Sequence, residues 1–183
     1  MFDLLVASDF LDASSREVIL DDLRTAGSQA ATVYGKAAAG AVDRDMRRTK
    51  RLAVTAATRD LVLARLIEWK PVVEKHFGVA LDRCEEPQFL RYETGDFFVA
   101  HQDGNTGLIY DDSRFRKIST IVFLSPPQSY EGGSLVFRGR YPDFETQTAA
   151  AECGSMVAFR SETTHEVTPV TSGHRYTIAS WYR

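Results

Sequence analysis

The sequence predicts an α+β fold in which N-terminal helices buttress one face of an antiparallel sandwich or barrel. Two observations carry that prediction. Apolar residues recur at intervals of three and four before Gly78, whereas beyond it the chain breaks into short apolar or alternating runs separated by turn residues. A length of 183 residues suits one domain with a full core, with helical support over about 1–80 and a strand-built core over about 85–183.

The first helix is predicted over 14–26. Ser14 stands three residues before Glu17, the reciprocal capping pattern, and Val18, Ile19, Leu23 and Ala26 follow at helical spacing until Gly27. From Ser28 to Lys50 the chain is rich in Ala and Gly and then charged, with Arg44, Arg47, Arg48, Lys50 and Arg51 crowded together. That stretch reads as a solvated loop or extended segment, whose basic end could form a rim that meets substrate. A second helix starts near Thr58 and carries Val62, Leu66, Trp69, Val73 and Phe77 on one face; Gly78 closes it, and Pro71 is expected to kink or split it. Strands are predicted at about 87–93, 97–101, 117–124, 134–138, 155–160, 164–169 and 174–182. Pro126-Pro127 ends the third of these, Glu131-Gly132-Gly133 opens the fourth through a turn or bulge, and the polar stretch from Gly104 to Phe115 is a candidate lid.

Composition narrows the function. With 44% hydrophobic and 26% charged residues the chain has the balance of a water-soluble protein, and no apolar run approaches the length of a membrane span. The N-terminal residues show no basic start before an apolar run, so a cytoplasmic location without membrane association is expected. Cys84 and Cys153 have no CxxC partner and are read as packing residues rather than as a disulfide framework or zinc site. A net charge of -3 lacks the basic excess of a nucleic-acid binder, although a local basic patch is compatible with it.

The chemistry concentrates in Tyr92-Glu-Thr-Gly-Asp-Phe-Phe-Val-Ala-His-Gln-Asp103. If Phe97 to Ala100 is a strand, side chains two apart leave the same face, so His101 and Asp103 share one space. With the remote His165 they make a two-histidine, one-carboxylate set, the facial triad of non-haem Fe(II) oxygenases, although zinc hydrolases draw on the same ligand types. On the last strand, alternation places Arg175, Thr177, Ala179 and Trp181 on one face and Tyr176, Ile178, Ser180 and Tyr182 on the other. An arginine on an inner face needs an anion, and the strand holds no carboxylate to supply it. Two readings stay level: Arg175 binds a small-molecule carboxylate with help from the Thr177 hydroxyl, or it reaches the surface or a protein glutamate.

Six motifs in order then carry a resemblance. They are Tyr92-x-x-Gly95 leading to His101-x-Asp103; Arg116 before Ser119-Thr120-Ile121-Val122-Phe123-Leu124; Glu131-Gly132-Gly133-Ser134-Leu135; Gly154-Ser155-Met156-Val157-Ala158-Phe159; His165-Glu166-Val167-x-Pro169-Val170; and Gly173-x-Arg175-Tyr176-Thr177-Ile178-x-x-Trp181. From Tyr92 to Trp181 the chain resembles the catalytic domain of the prolyl 4-hydroxylase-like 2-oxoglutarate and Fe(II)-dependent dioxygenases. The resemblance implies a double-stranded β-helix, or jelly roll, with iron held by His101, Asp103 and His165 in its mouth. It assigns the distal carboxylate of 2-oxoglutarate to Arg175, with Tyr92 and Thr177 assisting; Trp181, although it matches a family position, is read as packing at the base of the barrel. It implies hydroxylation of an organic substrate by O2 with release of succinate and CO2, with ascorbate a further candidate cofactor; the carboxylate of Asp103 favours hydroxylation over halogenation.

A prolyl residue in a protein or peptide is the leading substrate, with a small molecule as the alternative. A nucleic-acid demethylase of the same superfamily would carry a second arginine where this chain has Trp181. A zinc protein without oxygen chemistry would leave Arg175 and Thr177 unexplained, and an iron or 2-oxoglutarate sensor would bind without turnover. Arg116 and the cluster Arg44 to Arg51 are placed at the entrance by position alone. Oligomeric state is not readable from the sequence.

Overall fold

The computed structural model describes residues 2–33, 42–107, 109–139, 146–150 and 152–183. Among them the chain runs β1 (Leu4–Ala7), α1 (Ala13–Thr25), β2 (Gly27–Ala30), β3 (Arg47–Arg48), β4 (Lys50–Ala53), α2 (Ala56–Phe77), β5 (Gln88–Tyr92), β6 (Phe97–His101), β7 (Ile118–Phe123), β8 (Tyr130–Gly132), β9 (Leu135–Arg138), β10 (Thr146–Thr148), β11 (Met156–Arg160), β12 (His165–Val167), β13 (Val170–Gly173) and β14 (Arg175–Tyr182). A major sheet has the order β1-β11-β7-β14-β5-β4-β2, a minor sheet the order β10-β9-β12-β6-β3, and β13 pairs with β8 in a two-stranded ribbon. Every one of these pairings is antiparallel. The result is the α+β jelly roll that the sequence predicts.

Alternation decides which side chains face which layer. On β14, Ile178 and Tyr182 join a core built with Ile19 and Leu23 of α1, Val62, Leu66 and Val73 of α2, and Phe89, Val122 and Met156 of the major sheet. The helices therefore cover one face of that sheet, and the Tyr182 hydroxyl donates to the Leu66 carbonyl at 2.7 Å, tying strand to helix. Ala179 and Trp181 face the other way, into an apolar layer with Leu90 and Tyr92 of β5 and Val167 of the minor sheet. The predicted faces of the last strand are those observed.

Three local expectations change. The cap of α1 is Asp12, whose carboxylate accepts the Ser15 N–H at 2.7 Å, so the helix begins one residue before Ser14; a charged acceptor is favoured at the positive end of the helix dipole. The stretch expected as a loop over 28–50 lies partly outside the described residues, at 34–41, and its ends form strands. There β3 pairs with β6 and β4 with β5, so tertiary pairing overrides the poor strand propensity of Arg, Lys and Ala. Helix α2 continues unbroken through Pro71. The carbonyl that loses its N–H partner belongs to Ile67, which is 55% exposed and so lies on a solvent-facing side of the helix.

Candidate active site

His101 ends β6, Asp103 follows two residues later, and His165 opens β12. Antiparallel pairing of β12 with β6 sets His165 directly opposite His101. That register brings a residue 64 positions away beside the His-x-Asp pair. His101 Nε2 lies 3.4 Å from one Asp103 oxygen and His165 Nε2 3.5 Å from the other. The three ligand atoms lie within 4.8 Å of one another, a spacing that one metal ion can bridge.

Their surroundings select the ligating forms. His101 Nδ1–H donates to the Val99 carbonyl at 2.8 Å and His165 Nδ1–H to the Thr163 carbonyl at 2.9 Å, which leaves both Nε2 atoms as acceptors. Burial, and after it the neighbouring His101, pushes the His165 imidazole down to about 4, so it is neutral near pH 7. Burial also acts to raise the Asp103 carboxyl, but His165, His101 and Trp181 outweigh it and hold the group well below the usual carboxylate range. A carboxylate beside two imidazole Nε2 atoms is a donor set that suits a divalent cation.

Arg175 is the other pole of the site. It is 1% exposed, the largest of the fully buried side chains, and stands opposite Tyr92 across β14 and β5. Its guanidinium carbon lies 5.2 Å from the Tyr92 ring centroid and 5.5 Å from that of Phe123. Nε and Nη2 have no hydrogen-bond partner among the described residues. Burial lowers its pKa, and Tyr92 and the Tyr130 hydroxyl, which bonds the side chain, act in opposition. Gly133 lets the arginine lie there: at φ +61°, a Cβ on it would come within 2.8 Å of Arg175 Cδ and 2.9 Å of Val170 Cγ2. A buried guanidinium with an unpaired fork fits a carboxylate ligand and contradicts both the surface and the glutamate alternatives.

The triad and Arg175 line a single cavity of about 270 Å³, together with Tyr92 and Thr177. All six sequence-predicted site residues therefore meet in one space. Trp181 packs in the apolar layer with Leu90, Tyr92 and Val167 and also lines this cavity, and its ring lies 3.8 Å below the Arg116 guanidinium carbon. Arg116, expected at the entrance, is a wall residue held by Glu85 through Nε and Nη2, the shortest contact being 2.7 Å. Of the basic cluster, Arg47 reaches the central cavity, while Arg44, Arg48 and Lys50 line a neighbouring groove that Arg47 also borders. Sequence reasoning missed Tyr130 and Phe98. The only signal for Phe98 was its position three residues before His101; Tyr130 had none.

Comparison with known proteins agrees with this geometry. Residues 87–183 match the model of the 2OG-Fe(II) oxygenase superfamily. The chain is 31% identical over 182 residues to a PKHD-type hydroxylase of Paraburkholderia xenovorans, covering 97% of this chain and 77% of that one. A Pseudomonas putida prolyl-4-hydroxylase shares the fold with a TM-score of 0.76 at 20% identity, over 100% of this chain and 93% of the other. A Trichoplax adhaerens prolyl hydroxylase, solved with a hypoxia inducible factor oxygen degradation domain peptide, superposes with a TM-score of 0.73 at 17% identity, over 98% and 83% of the two chains. A donor set of two imidazoles and a carboxylate, and a buried arginine with a free fork, fit the Fe(II) and 2-oxoglutarate that this family uses. The chain belongs to the 2OG-Fe(II) oxygenase superfamily and is a dioxygenase that works with Fe(II) and 2-oxoglutarate.

Proposed function

We propose that the enzyme hydroxylates a prolyl residue in a protein or peptide, with His101, Asp103 and His165 as the iron ligands and Arg175 as the anchor of the 2-oxoglutarate distal carboxylate. The observation that carries the site assignment is the meeting, in one cavity, of a two-histidine, one-carboxylate triad with a buried Arg175 whose Nε and Nη2 have no partner among the described residues. Bound together, iron and 2-oxoglutarate supply an oxidant from O2, with succinate and CO2 as the other products. The residues do the rest. The Nδ1 hydrogen bonds of both histidines would leave their Nε2 atoms to hold the metal, and Asp103 would contribute a negative charge to it. Arg175, flanked by the Tyr92 and Phe123 rings, orients the co-substrate, with the Thr177 side chain two residues along the same face.

The prolyl reading draws support from the PKHD-type hydroxylase relative and from fold neighbours that are prolyl hydroxylases, one bound to a peptide. The cavity wall of Ile121, Leu135, Val167 and Trp181 is apolar, as a saturated ring would require. Tyr110 and Phe115, 79% and 50% exposed, lie in the loop that contributes Ile109 to that cavity and offer a peptide aromatic contacts outside it. Mass spectrometry of proteins from cells with and without the enzyme is expected to show a gain of about 16 Da on a proline, the mass of one inserted oxygen. Oxidation confined to a small metabolite would reject the prolyl assignment.

A further inference from the structure

The Phe98 ring lies flat on the His101 imidazole, with centroids 3.5 Å apart and planes 15° from parallel. The Arg47 guanidinium carbon stands 4.7 Å from the same Phe98 centroid. Two groups so close cannot share one face of a ring, so Phe98 is the middle layer of a three-layer stack. The backbone builds it: β3 pairs with β6 with Arg47 opposite Phe98, and Phe98 stands three residues before His101.

The two histidines are supported differently. His165 is 3% exposed and meets the Phe159 ring edge-on at 4.7 Å. The His101 side chain is 13% exposed; its Nδ1 bonds the Val99 carbonyl, its Nε2 lies 3.4 Å from Asp103, and its ring centroid lies 4.2 Å from that of His165. Rocking of the ring about its Nδ1 contact would swing Nε2 away from the metal position. The flat Phe98 contact removes that freedom. Arg47 in turn is 8% exposed, makes no ion pair among the described residues, and satisfies itself with the Thr32 carbonyl at 3.0 Å and the face of Phe98. Its Nε has no hydrogen-bond partner among the described residues. A buried guanidinium without a carboxylate costs stability, so its place in the fold is accounted for by the stack it closes.

We propose that Phe98, backed by Arg47, is a positioning residue that fixes the ring plane of His101 and so sets metal affinity and ligand field at the site. The proposal rests on the reading of His101 as a ligand. It predicts a property of the protein before any substrate binds, which separates it from a role for Phe98 in contacting substrate.

The test uses Co(II), whose visible bands report ligand geometry, added to the metal-free full chain. The Phe98→Leu variant is expected to bind Co(II) about tenfold more weakly, with displaced visible bands, as losses of supporting contacts around a metal site do. Phe98→Tyr, which keeps the flat ring, should restore affinity to within about twofold and restore the bands. Arg47→Lys keeps the charge acting on the ion but loses the planar face, and should weaken binding about threefold. Unchanged affinity and bands in Phe98→Leu and Arg47→Lys would overturn the proposal; if Phe98→Leu loses its circular dichroism spectrum, Arg47→Lys and Phe98→Tyr still decide. Equal binding by the wild type and His101→Ala would remove His101 from the ligand set and the proposal with it, whereas tight binding lost only in His101→Ala would overturn the stack's role and leave the ligand reading intact.

Discussion

Arg175 is held where an arginine is costly unless it has a task. Its buried Nε and Nη2 have no hydrogen-bond partner among the described residues, and three aromatic side chains, Tyr92, Phe123 and Tyr130, fix where its fork lies. A charge-assisted hydrogen bond contributes about 1.5–3 kcal/mol, so Arg175→Ala is expected to raise the 2-oxoglutarate concentration needed for half-maximal succinate formation about ten- to a hundredfold. Steady-state kinetics with 2-oxoglutarate varied would check this, and an unchanged requirement would reject the anchor role. The chemistry of this residue was half legible in the sequence: alternation gave its inward face, but the absence of a protein partner is a fact about every neighbouring element and needed the fold.

At the level of the element, α2 shows how packing overrides a local signal. Pro71 costs a helix interior about 3 kcal/mol relative to alanine, yet α2 runs from Ala56 to Phe77 because Val62, Leu66, Val73 and Phe77 are buried on the major sheet to either side of it. Proline also stiffens the unfolded chain, which offsets part of that cost. Pro71→Ala is therefore expected to stabilise the protein by about 1–2 kcal/mol, seen as a higher urea midpoint with unchanged slope. The strands β3 and β4 are the converse case. Their sequence, Arg47-Arg48-Thr49-Lys50-Arg51-Leu52-Ala53, has little strand character and reads as surface, and only pairing with β6 and β5 makes them part of two sheets.

For the whole molecule, Glu85 joins the C-terminus to the cavity wall. It accepts from Arg116 on both oxygens and from Arg183 Nε at 2.6 Å, while Arg116 stacks on Trp181. Burial acts to raise the Glu85 pKa, but Arg116 and then Arg183 overcome it and leave the group below its ordinary value of 4.5. A carboxyl whose folded pKa is depressed stabilises the fold above its unfolded pKa, and that contribution fades as pH falls through the folded value. The stability difference between the wild type and Glu85→Gln should therefore be constant from about pH 7 to pH 5 and shrink from about pH 4 downward. Urea melts across that range would check it; a difference independent of pH would show that the Glu85 pKa is the same in the folded and unfolded chain and would reject its stabilisation by Arg116 and Arg183.

The sequence by itself determined the α+β class, the strands β5, β6, β7, β9, β11, β12 and β14 to within a residue or two though not the short β8, β10 and β13, the inward face of β14, and, through ordered motifs, the six residues that meet in the cavity. Those features are local: side-chain period, turn residues and spacing along one element. Only the tertiary structure decided what lies between elements. It set His165 opposite His101 through the β12–β6 register, brought Trp181 to the cavity wall, left the Arg175 fork without a hydrogen-bond partner among the described residues, and stacked Phe98 between Arg47 and His101. Each of these depends on which distant segments become neighbours, and a one-residue change of register would send the same side chains to the opposite face.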